Sequence, residues 1–374
     1  MPLKIGRLLR RLPKIVFVNL AVLIGLYLLT EAVLHGVSSG SNPLVAKSPL
    51  RIRDPVYTHT LKPNFAGYDL WNGREYPVFT NSLGFRDASV RNVPLAAGRK
   101  RILFIGDSVT EGIGVAYEET FVGRIARAFP EADVLNAAVA SYSPSTYYEK
   151  LKYYIDAGLK FDEAIVYIDI SDMQDETSTY YYDEKGVLQM YMDKCSAAFL
   201  PGKAKWQEIF YVADFFYQFY ESTKVRYVID HAGFEFFLHN GRAYSRDWGR
   251  AAWTYDSAAS CFGALGVEGA IVKARRQMDR LHELLSAHGI ALSVGVYPWP
   301  QQLLYDTVTS RQTRIWRDWC AGKCKIFFDH FPTFFRYKEK DPDFVRGLFI
   351  WGDIHYNTRG NQILADDFIE KYRP

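Results

Sequence analysis

The sequence contains few cysteines, few charged residues and no internal repeats. Only four of its 374 residues are cysteine and 23% are charged, whereas 48% are hydrophobic and 16% are aromatic. No internal repeat and no low-complexity stretch is present. This composition excludes a disordered chain, a collagen and a coiled coil. We therefore expect an ordered globular protein of one to three domains.

The chain also lacks a basic surface for nucleic acid. Its formal net charge is +3, but five cations and no acid lie in the first fourteen residues, so that the remainder carries −2. No zinc-finger or other nucleic-acid motif appears. Phosphate backbones are bound mainly by clustered Lys and Arg, so no nucleic-acid partner is predicted.

A long apolar run follows the basic arm of residues 1–14. From Ile15 to Leu34 the only charge is Glu31, and twenty residues at helical rise cover about 30 Å, the hydrocarbon thickness of a bilayer. This predicts a membrane anchor over residues 15–35. The positive-inside rule places the N-terminus in the cytoplasm, which predicts a single-pass inner-membrane protein whose main part is periplasmic or otherwise extracytoplasmic. The alternatives are a cleaved signal peptide, which would have a shorter apolar region and a small-x-small site, and a buried soluble helix.

The four cysteines are even in number and are expected to face an oxidising space, so one or two disulfides are predicted. Four cysteines permit three full pairings, and buried thiols are the alternative. The cysteines are Cys195, Cys261, Cys320 and Cys324. The C-x3-C pair lacks further ligands at zinc spacing, and no metal or cofactor is predicted.

Short apolar runs alternate with amphipathic helices from residue 100 onward. Runs typical of strands cover residues 101–105, 133–135, 164–168, 290–296 and 326–328, and helical patterns cover residues 120–129, 144–157, 271–285 and 358–372. Such an alternation predicts an α/β fold, a three-layer α/β/α sandwich with about five parallel strands. Residues 100–374 form the main predicted domain, interrupted by an aromatic-rich insertion over about 174–262 with a helix near 206–220. Residues 36–99 are a mixed juxtamembrane segment.

The exit of the first predicted strand carries a serine. Gly106-Asp107-Ser108 follows the apolar run directly, and sites in parallel sheets form at the carboxyl ends of strands. A glycine there lets the backbone turn sharply, so that Ser108 projects above the sheet. The structural alternative is a capping box formed by Ser108 and Glu111.

Near the far end of the chain, Asp353 and His355 lie in a short loop before the last predicted helix. An imidazole can take a proton from a serine hydroxyl, and a carboxylate can hold its other nitrogen, which is the arrangement used in acyl transfer. Of the eight histidines, only His355 lies in such an acid-x-His loop.

These two blocks resemble the SGNH, or GDSL, hydrolase family over roughly residues 80–372. Gly106-Asp107-Ser108 with Gly112 matches the first family block, and Asp353 with His355 matches the last. The resemblance implies a flavodoxin-like fold and a triad of Ser108, Asp353 and His355. Many members have Asp three residues before His, where this chain has Gly352. The Asp-x-His spacing is similar to the branch that acetylates or deacetylates bacterial surface polysaccharides.

The resemblance also implies an oxyanion hole formed by Ser108, Ser141 and Ser171. Ser141 stands where the family has glycine, and its backbone N–H survives that change. Ser171 replaces the family's asparagine, so a shorter hydroxyl would donate the hydrogen bond. Loss of one such donor typically lowers the rate about a hundredfold or more.

Further polar and aromatic residues follow the third and fourth strands. Asp172, Asp175 and Glu176 could bind a cation or sugar hydroxyls, and a capping role is the alternative. Tyr297 and Trp299 could form an aromatic wall for a sugar or acyl group, and a rigid Pro-bracketed turn is the alternative. Asp172, Tyr297 and Trp299 are therefore the candidate substrate contacts.

The sequence thus predicts a serine-dependent ester hydrolase that removes or transfers a short acyl group, such as acetyl, on a cell-envelope glycan. The expected partners are the acylated glycan or another ester, and the membrane through residues 15–35. Transfer would also need a multi-span acyl-donating membrane protein. The alternative is a non-catalytic glycan- or partner-binding protein that retains the fold.

Overall fold

The structure is a computed structural model and describes residues 3–37, 50–71, 74–190, 209–217, 219–220, 223, 250–256 and 262–372. The chain divides into two compact units. The smaller contains Met1–Lys47 and Leu200–Asp230, and the larger contains Ser48–Phe199 and His231–Pro374. Cys195 and Cys261 lie outside the described residues. Cys320 and Cys324 form a disulfide within the larger unit.

A central eight-stranded sheet organises the larger unit, with two short hairpins beside it. The strands of the described residues are β1 (Arg51–Asp54), β2 (Thr58–Leu61), β3 (Ala66–Trp71), β4 (Arg74–Thr80), β5 (Arg86–Asp87), β6 (Arg101–Ile105), β7 (Asp133–Asn136), β8 (Glu163–Tyr167), β9 (Tyr180–Tyr182), β10 (Leu188–Met190), β11 (Ala291–Val296) and β12 (Phe327–Asp329). The strand order is β12-β11-β8-β6-β7-β5-β4-β3.

Five neighbouring strands of this sheet are parallel, as the sequence predicts. Strands β7, β6, β8, β11 and β12 pair in parallel, with Leu103 of β6 opposite Leu135 and Ala164. Read along the sheet, their chain order is 2-1-3-4-5, the flavodoxin-like order. Every residue of β6 is buried, because helices cover both faces of a parallel sheet.

Helices complete the three layers of the larger unit. In its described residues they are α2 (Ser108–Glu111), α3 (Phe121–Ala128), α4 (Pro144–Asp156), α5 (Asp172–Ser178), α6 (Gly266–Ala287), α7 (Pro300–Tyr305), α8 (Arg311–Cys320), α9 (Phe331–Lys340), α10 (Phe344–Leu348) and α11 (Thr358–Lys371). Helix α1 (Leu3–Val37) belongs to the smaller unit. Helix α6 packs against α4 and α5, and α3 packs against α11. The predicted alternation of strand and helix is confirmed.

The starts of these helices follow local sequence signals. Thr120 accepts the N–H of Gly123 and begins α3, while the Thr146 hydroxyl accepts the N–H of Ser143 at the start of α4, whose first residue is Pro144. Side-chain acceptors at a helix start satisfy N–H groups that lack intrahelical partners. The helices are thereby fixed at the edge of the sheet where the parallel strands end.

The segment before residue 100 contributes to the same sheet. Strands β3 and β4 form an antiparallel hairpin, and β4 pairs with β5, which pairs with β7 through Arg86 and Asn136. The sheet therefore has three antiparallel strands at one edge. The sequence left this segment without assigned structure.

The smaller unit contains α1 and a helical segment over residues 211–217. Residues Pro13–Val37 of α1 are long and apolar enough to cross a membrane, by length and composition. The beginning of the predicted insertion, with α5, β9 and β10, belongs to the larger unit. Of the helix predicted near 206–220, Ile209 and residues 211–217 and 219–220 are helical among those that the structure describes, and Phe210 is not.

Candidate active site

Ser108 is the first residue of α2, directly after β6. A Cβ on Gly106 would collide with the side chain of Thr110 and the carbonyl oxygen of Tyr167, so only glycine fits where the strand turns into the helix. Ser108 is 7% exposed. The chain therefore places this hydroxyl at the carboxyl edge of the sheet, as the sequence predicts.

The capping-box alternative for Ser108 is wrong. Asp107, not Ser108, is the N-cap of α2, and it makes no side-chain cap bond. The Glu111 carboxylate instead accepts a hydrogen bond of 2.6 Å from Arg51 Nη2 and one of 2.7 Å from the backbone N–H of Ala140. Glu111 thus joins β1 to the loop after β7, and the Ser108 hydroxyl is not used to cap a helix.

Asp353 and His355 lie in a tight loop between α10 and α11. Gly352 has φ +81°, a left-handed conformation that favours glycine over aspartate. Gly352 stands where the family usually has Asp, and the backbone conformation at this position suits glycine better than aspartate. The Asp353 carboxylate also accepts the N–H of Ile354 at 2.6 Å and that of His355 at 3.2 Å, which fixes its orientation.

The carboxylate and the imidazole of this loop are in direct contact. Nδ1 of His355 lies 2.6 Å from Oδ1 of Asp353. An ionised carboxylate only accepts, so Nδ1 carries the hydrogen and Nε2 is directed elsewhere. Burial raises the pKa of Asp353, but the charge and hydrogen bonds of His355 and a bond from Trp71 outweigh it and leave that pKa below its usual value. The predicted base and orienter are brought together.

Trp71, at the end of β3, is a site residue that the sequence did not reveal. Its indole Nε1 donates to Oδ2 of Asp353 at 2.5 Å. Its ring meets the His355 ring edge to face at 5.1 Å between centroids. Trp71 therefore contacts both members of the pair. No sequence signal indicated this, because 282 residues separate donor and acceptor.

The loop after Ser108 lies beside the same residues. A Cβ on Gly114 would collide with Ile350 and would lie 3.9 Å from the Trp71 ring. Ile350 in turn donates its N–H to the carbonyl oxygen of His355 at 2.8 Å. Gly114, in the loop that follows α2, and the Asp353–His355 loop therefore both contact Trp71 and Ile350.

Ser141 has the backbone conformation that suits the family's glycine. Its φ is +66°, which L side chains rarely adopt. Its backbone N–H donates to the Asp107 carboxylate, and its carbonyl oxygen accepts the Tyr180 hydroxyl at 2.5 Å. The N–H assigned to the oxyanion hole is thus used by Asp107 in this structure, and its oxyanion role stays a prediction.

The Ser171 hydroxyl is also engaged. It lies 2.7 Å from Oδ1 of Asp169 and 3.3 Å from Oδ2 of Asp107, and the residue is fully buried. A hydroxyl has one hydrogen to donate. Stabilising an oxyanion would therefore require this hydroxyl to turn away from Asp169.

Asp169 is the centre of a buried hydrogen-bond network. Its Oδ2 accepts the Tyr297 hydroxyl at 2.8 Å and the Trp299 indole N–H at 2.9 Å, and Asp172 accepts the Tyr147 hydroxyl at 2.7 Å. Asp172, Tyr297 and Trp299 are at most 1% exposed. All three candidate substrate contacts are therefore hydrogen-bonded to buried partners, and none has a surface that a substrate could reach.

The acidic cluster after β8 has structural partners as well. Glu176 accepts the Ser143 hydroxyl at 2.6 Å and both the N–H and the hydroxyl of Ser145, at the start of α4. Asp175 pairs with Arg250. The capping alternative therefore describes Glu176.

Three carboxylates in this region come close enough to hold a cation. One oxygen from each of Asp107, Asp169 and Asp172 lies within 4.8 Å of the others. Burial, and then repulsion from Asp169 and other acids, raises the pKa of both Asp107 and Asp172 well above the usual value. A proton on these groups reduces the charge of the cluster as a cation would.

A second histidine–aspartate pair lies after β12. Nδ1 of His330 lies 2.6 Å from Oδ2 of Asp367, and its Nε2 lies 2.9 Å from the Tyr167 hydroxyl. Both ring nitrogens are used and the residue is fully buried. Burial lowers the pKa of His330 despite Asp367. This pair supports the core, and the sequence missed it because 37 residues separate its members.

Solved structures with similar backbones were found by comparison. A member of the lipolytic G-D-S-L family from Veillonella parvula has 10% identity, covers 73% of this chain and 98% of its own, and has a TM-score of 0.36. An esterase, EstA, from Pseudoalteromonas sp. has 10% identity, 73% and 96% coverage and a TM-score of 0.37. The acetylxylan esterase Axe2 from Geobacillus stearothermophilus has 14% identity, 75% and 96% coverage and a TM-score of 0.39. No family model and no curated protein matches the chain.

Proposed function

We propose that this chain is a serine-dependent ester hydrolase of SGNH type. The single observation that carries the proposal is the Asp353–His355 pair, whose carboxylate also accepts the indole N–H of Trp71. A nucleophile, a base and an orienting carboxylate are the groups that acyl transfer requires.

In the proposed reaction, the Ser108 Oγ attacks the carbonyl carbon of the ester and gives its proton to Nε2 of His355. His355 then returns this proton to the departing alkoxide as the carbon–oxygen bond breaks, which leaves an acyl group on Ser108. Water attacks that acyl group with His355 again as base, and the acid and the free serine are released. Asp353 stabilises the imidazolium that forms in each step.

The proposed substrate is a short acyl ester, such as an acetyl group, on a cell-envelope glycan. The buried position of Ser108, at 7% exposed, favours a small acyl group over a long chain. A sugar hydroxyl in place of water would make the same site an acyltransferase, and a multi-span membrane protein would then supply the acyl donor.

The location that fits this substrate is the outer face of the inner membrane. Residues Pro13–Val37 of α1 have the length and composition of a span, and the basic arm before them favours a cytoplasmic N-terminus. We propose that α1 anchors the larger unit on the extracytoplasmic side. A reporter fused after Pro374 should be active outside the cytoplasm, and cytoplasmic activity would contradict this orientation.

The test of the catalytic proposal is aryl acetate hydrolysis by the purified full chain in detergent. Ser108→Ala should lower kcat at least about a thousandfold, since removal of a triad nucleophile has effects of this order. Ser286→Ala changes an exposed serine of α6 and is the matched control. A serine-reactive fluorophosphonate should label the parent chain and not the Ser108→Ala variant. Equal rates for the parent and Ser108→Ala would contradict the proposal.

One observation favours the non-catalytic alternative. Two of the three donors assigned to the oxyanion hole, the N–H of Ser141 and the hydroxyl of Ser171, bond to carboxylates. A protein that keeps the fold to bind a glycan or partner would keep these bonds. Fluorophosphonate labelling distinguishes the two functions, because only an activated Ser108 reacts with the reagent.

A further inference from the structure

The smaller unit contains a contact that neither an anchor nor an esterase requires. Most side chains of α1 are strongly exposed, for example Phe17 at 71% and Leu23 at 63%, whereas Glu31 is only 6% exposed. Glu31 is the single charge between Ile15 and Leu34. A carboxylate within an apolar span is unfavourable unless it finds partners.

The partners of Glu31 are backbone N–H groups of the aromatic segment, residues 209–220. Oε2 accepts the N–H of Tyr211 at 2.7 Å, and Oε1 accepts the N–H of Val212 at 2.9 Å. These N–H groups belong to the first turn of the helical residues 211–217, where intrahelical acceptors are lacking. Both oxygens of the carboxylate are thereby satisfied.

A second set of contacts lies one helical turn further along α1. The His35 ring stacks on the Tyr211 ring at 4.1 Å between centroids. Its Nε2 lies 2.7 Å from the Ile209 carbonyl oxygen, which can only accept, so Nε2 donates. Glu31 and His35 together fix the start of the aromatic segment to the last two turns of α1.

These contacts lie at the depth where a bilayer would end. At 1.5 Å per residue, Glu31 is about 24 Å and His35 about 30 Å along the helix from Ile15, and the hydrocarbon layer is about 30 Å thick. The boundary between hydrocarbon and headgroups is where Tyr and Trp are enriched in membrane proteins, because an amphipathic ring suits both sides.

The aromatic segment has the composition for that boundary. Seven of its twelve residues are Phe or Tyr and only one, Asp214, is charged. Phe216 and Phe219 are each 61% exposed, and Tyr220 is 59% exposed. Large apolar rings exposed next to an apolar span extend the surface that the span itself presents to lipid.

We infer that the aromatic segment is an interfacial lipid-binding element, seated among the headgroups of the leaflet in which α1 ends. Its partner is the phospholipid surface itself, contacted by Phe216 and Phe219, with Glu31 and His35 fixing its depth. The inference rests on the proposed span of α1. It adds a second membrane contact after the span.

The test uses the full chain in vesicles of phosphatidylethanolamine and phosphatidylglycerol, with a photoreactive benzophenone in place of one side chain at a time. Phe216 and Phe219 are the probe positions, Leu23 in the span is the positive control, and Tyr153, 43% exposed on α4, is the negative control. Mass spectrometry then measures lipid adducts. We expect adducts at positions 216, 219 and 23, and at most a tenth of that yield at 153.

The outcomes separate the two proposals. Lipid adducts at 23 but not at 216 and 219 overturn the interfacial element and leave the anchor in place. Absence of adducts at 23 overturns the anchor. Equal yields at 216 and 153 mean unspecific contact and also overturn the interfacial element. Glu31→Ala should lower the yield at 216 at least threefold and leave that at 23 unchanged, and an unchanged yield at 216 contradicts the role given to Glu31.

Discussion

At the scale of single residues, the site depends on a tryptophan that donates to a carboxylate. Trp71 bonds Oδ2 of Asp353 while His355 bonds Oδ1, so each carboxylate oxygen has its own donor. Two donors restrict the carboxylate to one rotation, and this holds the imidazole in one orientation. Trp71 is therefore a positioning residue.

Replacing Trp71 by Phe should lower kcat about tenfold and change KM little, since the ring remains but the donor is lost. Its bond contributes to the low pKa of Asp353, so the acidic limb of the kcat–pH profile should move to higher pH. Trp316→Phe, a buried core change on α8, is the control and should affect stability alone. An unmoved acidic limb would leave Trp71 with a packing role only.

The two histidine–aspartate pairs should respond differently to the same change. His355→Gln should abolish ester hydrolysis and alter the melting temperature little. His330→Gln should retain kcat and lose about 2 to 3 kcal/mol of stability, because Asp367 and the Tyr167 hydroxyl lose a buried partner. Thermal unfolding and steady-state kinetics on both variants measure this. If a folded His330→Gln variant lost kcat, the general base would be His330 and not His355.

At the scale of elements, α4 carries a buried cation. Lys150 is fully buried, donates to the Ala137 carbonyl oxygen at 2.8 Å, and lies 4.9 to 5.4 Å from the ring centroids of Tyr57, Phe85 and Tyr142. Burial lowers the pKa of this lysine to about 7. Aromatic faces, one carbonyl and the Tyr142 hydroxyl at 3.3 Å stabilise an ammonium less than water does.

This burial predicts a pH dependence of stability. Between pH 7 and about 10 the unfolded chain binds a proton at Lys150 that the folded chain does not, so the free energy of unfolding rises with pH, by up to about 1.4 kcal/mol per unit. Lys150→Met should remove that slope, measured by urea unfolding at pH 7.5 and 9.5. Lys152→Met, with an exposed side chain on the same helix, should keep it. Equal slopes in all three proteins would show that Lys150 does not titrate in this range.

The elements that the sequence predicted best are those whose pattern is local. The five parallel strands are three to six residues long, each contains at least two consecutive apolar residues, and they alternate with helices. This local pattern was enough to predict the sandwich from the sequence. The β3–β4 hairpin has no such pattern, because Tyr68 and Leu70 are exposed apolar side chains on one of its strands. Its place in the sheet depends on pairing with β5, which contains two residues.

At the scale of the whole molecule, the sequence predicted that Asp353 and His355 lie in one loop and act as a pair. The structure confirms that their side chains are in contact. The sequence could not reveal what occupies the oxyanion donors. The Ser141 N–H and the Ser171 hydroxyl bond to Asp107 and Asp169, residues 34 and 2 positions away, and only the folded sheet edge brings these carboxylates together. The spacing of residues along the chain does not show whether a donor will bond to a carboxylate or stay available for an oxyanion.

The distance in sequence between Trp71 and Asp353 has a consequence for synthesis. At about 5 to 20 residues per second, the 282 residues between them take roughly 15 to 60 seconds to translate. During that interval the nascent chain comes to contain Trp71 and Ser108, whereas Asp353 and His355 have not yet been synthesised. A nascent chain therefore lacks the full set of proposed catalytic residues, and the proposed ester cleavage can begin only after the last helix has been made and packed.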